Sequence, residues 1–197
     1  MNARLLGCGG FVPTGHRETT CVLIRRGNAA LLLAPGRWLY DRDSAGILGP
    51  LRTSPLSPFS PDELGDVKEL TEGRPDVGPF AITTRRQDKH WDPTAGIRVE
   101  DAVVLITDTA YDEGGVELAA GAAHLLHEAW TTSAEAGPRA AHTTARDAAR
   151  IASAAGVRQL TLVHLNPRLI DEAALVEDAR DLMPNTVVGV DGLELPL

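Results

Sequence analysis

Short apolar runs, broken by glycine and single polar residues, dominate the first third of the chain. "ARLLGCG" (3–9), "TTCVLIRR" (19–26) and "NAALLLA" (28–34) read as three strands. Arg26-Gly27-Asn28 reads as the turn of a hairpin joining the second and third. Residues 35–61 are rich in proline and glycine, hold no sustained period, and read as a long loop. "SPDELGDVKEL" (60–70) then has the signature of a helix start. Ser60 is placed to cap it, Pro61 takes the first helical position, and Glu63 completes a capping box.

The second half alternates. "FAITTRR" (80–86), "AGIRVE" (95–100) and "AVVLITD" (102–108) read as strands, and "EGGVELAAGA" as a short helix. "HLLHEAW" (124–130) reads as a buried strand. "TTARDAARIASAAG" (143–156) is the plainest helix: Thr144 and Asp147 form a capping box, and Gly156 stops it. "RQLTLVHLN" (158–166) is a strand, "DEAALVEDARDLM" (171–183) a helix, and "TVVGV" (186–190) a final strand. Strands first, then strands alternating with helices, predict a layered α/β fold in a single domain over residues 1–197.

Polar residues interrupt this pattern at similar places. Asp108 ends one apolar strand, His127 and Glu128 end the next, and His164 ends a third; His142 lies just before a helix. Strand ends at one sheet edge are where sites are built. Histidine with carboxylate suits zinc, manganese or iron, and equally suits acid–base work. Each residue also has a plain reading: a strand-end Asp can bind turn amides, His142 can cap its helix, and Asp88-Lys89-His90-Trp91-Asp92 can be a solvated loop.

Composition narrows the functions. The net charge is −8 over 197 residues, and acids and arginines are interspersed without a dense basic cluster. That disfavours long nucleic acids but not a small phosphorylated ligand. No apolar stretch is long enough to span a bilayer, and the start of the chain does not read as a signal peptide, so a cytoplasmic protein is expected. Cys8 and Cys21 form no CxxC pair and read as free thiols. "GCGGFVPTG" lacks the spacing of a dinucleotide loop, and nothing like a nucleophile elbow surrounds Ser133.

In order along the chain, these segments resemble the metallo-β-lactamase fold family, in its ribonuclease Z and cyclic-phosphodiesterase branch. "LLGCGGFVPTGHRETTCVLIRRGNAALLLAPG" resembles its opening hairpins. "TTRRQDKHWDPTAGIRVED" resembles its third motif and "VVLITDT" its fourth. "AAHLLHEAW" resembles the "HEA" segment, and "AAHTTARDAARIASAAGVRQLTLVHLNPR" its H-[ST]-T-A helix with the following strand. The resemblance implies a four-layer αββα sandwich, here truncated, with the site at one sheet edge and a homodimer as the common assembly. It implies His90, Asp108 and His164 as metal ligands. It implies His142 as a catalytic histidine near the scissile phosphate, oriented by Glu128.

The chain departs from that family at its central signature. H-x-H-x-D-H, which supplies most ligands of the family's two metals, occurs nowhere in the sequence, and Ala34 stands where an acid is usual. The long RNA-gripping arm is also missing. Three readings stay open. One is a reduced, single-metal hydrolase of a small phosphodiester or ester-like metabolite. Another is a metal-free biosynthetic enzyme, such as a cyclase, isomerase or lyase. The third is a non-catalytic scaffold subunit. Asp41, Asp43 and Asp88 are further acids that could assist a metal.

Overall fold

The computed structural model describes residues 1–10, 12–33, 72–74, 76–91, 94–137, 141–168 and 171–197. They form eleven strands and three helices in two sheets. The first sheet contains β1 (Asn2–Gly7), β2 (Cys21–Arg26), β3 (Ala29–Leu33) and β11 (Glu194–Leu195), in the order β11-β1-β2-β3, all antiparallel. Gly27, at φ 56°, makes the tight turn of the β2–β3 hairpin, where a Cβ would be strained.

The second sheet is mixed. It contains β4 (Asp76–Val77), β5 (Phe80–Gln87), β6 (Thr94–Val99), β7 (Val103–Ile106), β8 (His124–Glu128), β9 (Gln159–Val163) and β10 (Thr186–Val188), in reverse sequence order across the sheet. Strands β4 to β7 pair antiparallel, and β7 to β10 pair parallel. The helices α1 (Gly114–Ala119), α2 (Ala145–Ala155) and α3 (Glu172–Arg180) pack along it. Every residue of β7 and β8 is buried. That is the behaviour of strands covered on both faces; it explains the unbroken apolar run of β7, whereas β8 buries His124, His127 and Glu128 around its two leucines.

Alternation decides what each face of the first sheet does. Ala3, Leu5, Val22, Ile24 and Leu33 point into the main core, between the two sheets. Leu6, Cys21 and Leu23 form a separate buried cluster with Leu32 beside it. Helix α2 lies close because its buried face is mostly alanine: Ala145, Ala148, Ala149, Ala152 and Ala155 flank Ile151. Thr144 accepts from the Asp147 amide at 3.1 Å, and Gly156 ends the helix in the left-handed conformation. Asp171 caps α3 in the same way, accepting from Ala174 N at 3.1 Å.

Two sheets with helices on one of them supply three of the four expected layers. The helix read over 60–70 and the loop read over 35–61 lie outside the described residues, as do Asp41 and Asp43. The two-residue strands β4 and β11 have no counterpart in the sequence reading, being too short to carry a period. Among the described residues no helix is long and apolar enough to cross a membrane.

His124 and His127 on β8 are wholly buried. His124 Nε2 meets Thr161 Oγ1 at 2.7 Å. Burial disfavours the charged ring and pushes its pKa down to about 4. Its contribution to stability is therefore complete above the unfolded value near 6.5 and is lost as pH falls toward 4. Chemical denaturation between pH 7 and 4.5 should show stability falling with acid. The His124→Gln variant should show a shallower fall, by on the order of 3 kcal/mol over the full window. Equal slopes would mean that His124 is charged in the folded protein.

Candidate active site

Parallel pairing aligns the ends of β7, β8 and β9. Ile106 pairs with His127, and Glu128 with Val163. Asp108 lies just beyond β7, Glu128 ends β8, and His164 follows β9 directly, so all three reach the same edge. Strand β5 runs in the same direction, which brings the loop carrying His90 to that edge as well. His142 arrives on the segment entering α2. That segment is tied back to β8's extension by Trp130 N donating to Thr143 O at 2.9 Å and Ala145 N to Thr131 O at 3.0 Å.

Asp108 and His164 both have positive φ, 52° and 50°. Such backbone costs about 1–3 kcal/mol per residue and persists only where surroundings enforce it. The enforcing contacts are visible. Thr94 Oγ1 donates to Asp108 O at 2.9 Å, and Gln87 Nε2 donates to Thr107 O at 2.9 Å. The His164 amide donates to Thr20 Oγ1 at 3.1 Å, and that hydroxyl donates to Gly9 O at 2.7 Å. The first sheet's long β1–β2 connection thus anchors a residue of the second sheet.

Glu128 is fully buried, yet its carboxylate is well supplied. Oε1 accepts from the amides of Thr109 and Thr143, at 2.9 and 3.0 Å. Oε2 meets His142 Nδ1 at 2.8 Å. A carboxylate partner holds the proton on Nδ1 and leaves Nε2 as the free nitrogen. The imidazole is clamped from one side by Trp130, stacked at 4.3 Å and 14°. Gly10 makes room for that indole: a Cβ there would come within 2.9 Å of the Trp130 ring and of Leu165 O.

The remaining histidines gather around His142. The His90 ring centroid lies 5.0 Å from it and the His164 centroid 5.7 Å. His164 Nε2 stands 3.2 Å from Asp108 Oδ1. Burial works to raise the Asp108 pKa, but His164, His90 and His142 outweigh it and hold the carboxyl below its usual value. For His164 burial works downward, and Asp108 with Glu128 carries its pKa above the ordinary one.

Two compact groups of potential ligands result, His90–Asp108–His142 and Glu128–His142–His164, each with its donor atoms within 4.8 Å of one another. His90 and His164 fall in different groups, with the Asp108–His164 contact between them. The buried Nδ1 of His90 and both ring nitrogens of His164 lack a properly formed hydrogen bond. Unsatisfied buried imidazole nitrogens beside a carboxylate are the donor set of a zinc, manganese or iron ion, so these residues fit a metal.

All five residues singled out in the sequence, His90, Asp108, Glu128, His142 and His164, therefore meet at one edge. His127 does not: adjacent strand residues face opposite ways, and its Nδ1 donates to Glu128 O at 2.9 Å on the helix side of the sheet. Asp88 is exposed and paired with Arg86 at 2.7 Å. Trp130, Thr20, Gln87 and Thr94 were not legible as site residues, because each acts through a contact distant in sequence. Only Trp130, directly after "HEA", carried a local signal.

Comparison with known proteins agrees with this fold. No family profile matches the chain. It is 41% identical over 202 residues to a ribonuclease Z of Gemmatimonas aurantiaca, an alignment covering 98% of this chain and 59% of the relative. A Synechococcus ribonuclease Z is 41% identical over 101 residues, 48% of this chain and 32% of its own length. The chain thus spans less than two thirds of these curated relatives. Among solved structures, the metallo-β-lactamase fold protein YhfI from Bacillus subtilis superposes with a TM-score of 0.78 at 19% identity, over 98% of both chains. A diphosphatase of the PhnP family superposes at 0.70 and 14% identity, over 100% of this chain and 97% of the other. Zinc-bound PqqB from Methylobacterium extorquens superposes at 0.61 and 14%, over 100% of both. The chain is a metallo-β-lactamase-fold protein with ribonuclease Z-like homologues.

Proposed function

We propose that the chain is a metal-dependent hydrolase of a small phosphodiester or ester-like metabolite, working with a reduced metal site. The observation that carries this reading is the convergence of His90, Asp108, His142 and His164 with buried imidazole nitrogens left unsatisfied. A scaffold has no need of such convergence, because polar residues that strain the backbone at Asp108 and His164 cost stability. The ribonuclease Z relatives support a phosphodiester, and the net charge of −8 supports a small one.

Asp108 would hold the ion, with His90 from its own donor group and His164, 3.2 Å away, from the other. When bound, it would act as a Lewis acid toward the ester and make water more acidic. The chain's own chemistry centres on His142. With its Nδ1 proton held by Glu128, the Nε2 atom takes a proton from the attacking water or returns one to the leaving oxygen. Glu128 stabilises the imidazolium that forms in between. Its other oxygen is fixed in place by the two backbone amides that donate to it. Trp130 keeps the ring from rotating away. The same His142–Glu128 pair would serve a metal-free cyclase, isomerase or lyase, and metal content separates these readings.

Protein purified without added metal and without a histidine tag should carry about one zinc, manganese or iron ion per chain, measured by mass spectrometry. His164→Ala should lose it. A metal-free wild type, even after incubation with zinc and manganese, would sink the hydrolase reading.

Glu128→Gln should place an amide N–H against His142 Nδ1 and drive the proton to Nε2. Turnover of bis(p-nitrophenyl) phosphate should then fall by about 10²–10⁴-fold, with metal content unchanged. A loss under about tenfold would remove His142 from proton transfer.

A further inference from the structure

Trp91 has no task in the hydrolytic reading. It is 81% exposed, far more than any other large hydrophobic side chain among the described residues. It follows His90 directly, with ring centroids 5.0 Å apart, and stands edge-on to His142 at 6.1 Å and 84°. The second indole at the site, Trp130, is stacked on His142. The Trp91 indole instead remains open to solvent beside the cluster.

We propose that Trp91 is the specificity-determining residue of this site, stacking on the planar aromatic group of a mononucleotide-sized phosphoester. The proposal rests on the phosphoester reading of the cluster and adds to it the class of substrate. An indole is the broadest stacking surface among the side chains, and a ring lying flat on it runs parallel to its plane, near-perpendicular to the His142 imidazole. Lys89, immediately before His90, adds a cation to the same loop, and Ala110 N donates to its carbonyl at 3.3 Å, tying that loop to the one bearing Asp108. A longer polyanion is disfavoured, since the chain is acidic and lacks a basic track.

The test is isothermal titration of the zinc-loaded full chain with adenosine 5′-monophosphate and with ribose 5-phosphate, which lacks the base. The nucleotide should bind about tenfold tighter. Trp91→Ala should abolish that difference, and Trp91→Phe should keep most of it. Quenching of indole fluorescence by the nucleotide should weaken in Trp91→Ala. Equal binding of the two probes, no binding of either, or a preference that survives Trp91→Ala would overturn the proposal. So would a dimer that disperses on Trp91→Ala while the nucleotide shows no advantage, since the indole would then be a contact between copies. Failure of the hydrolase reading is distinguishable, because it appears in the metal content of His164→Ala and in the turnover of Glu128→Gln. Neither depends on base stacking.

Discussion

Everything at this edge is arranged around one buried carboxylate. Glu128 is removed from water at the end of a central strand, where an ionised group without donors would be prohibitively costly. Its stability comes from two backbone amides, those of Thr109 and Thr143, and from His142. Those amides belong to different segments: one follows β7, the other leads into α2. The carboxylate therefore joins three stretches of chain, and Thr143 Oγ1 adds a further tie by donating to Thr109 O at 2.6 Å. Truncating this side chain, with the loss of all three contacts, would disturb the positions of Asp108 and His142 together.

The scaffold makes this possible at little cost in sequence. Parallel strands deliver their ends to one edge without any need for neighbouring residues in the chain. The helix on the far side sits close because it presents alanines, which keeps β8 and most of β9 buried. Charges in such surroundings interact more strongly than in water. The opposed shifts of Asp108 and His164 follow from that setting.

Much of this was legible in the residues. Apolar runs marked the buried strands, and Thr144, Asp147 and Gly156 marked the ends of α2 because capping is local chemistry. The polar interruptions at Asp108, Glu128 and His164 stood out against apolar strands. What lay hidden depends on contacts across the fold. Thr20 reads as an ordinary strand residue until its hydroxyl is seen beneath the His164 amide. His127 looks equivalent to Glu128 until the pleat sends it to the other face. The strands β4 and β11 are too short for any pattern.

The hydrogen bond between Thr20 and His164 spans 144 positions of sequence. It has a consequence for the order in which the molecule assembles. The parallel strands and their helices are built largely from contacts within residues 80–190, but the strained turn at His164 takes its shape from a loop of the opposite sheet. The cluster cannot reach its working geometry until the two sheets have docked, and contacts of such long range close late. A chain released early from its folding route would carry the histidines and the carboxylate without their mutual alignment. Competence for chemistry would then report on completion of the whole sandwich.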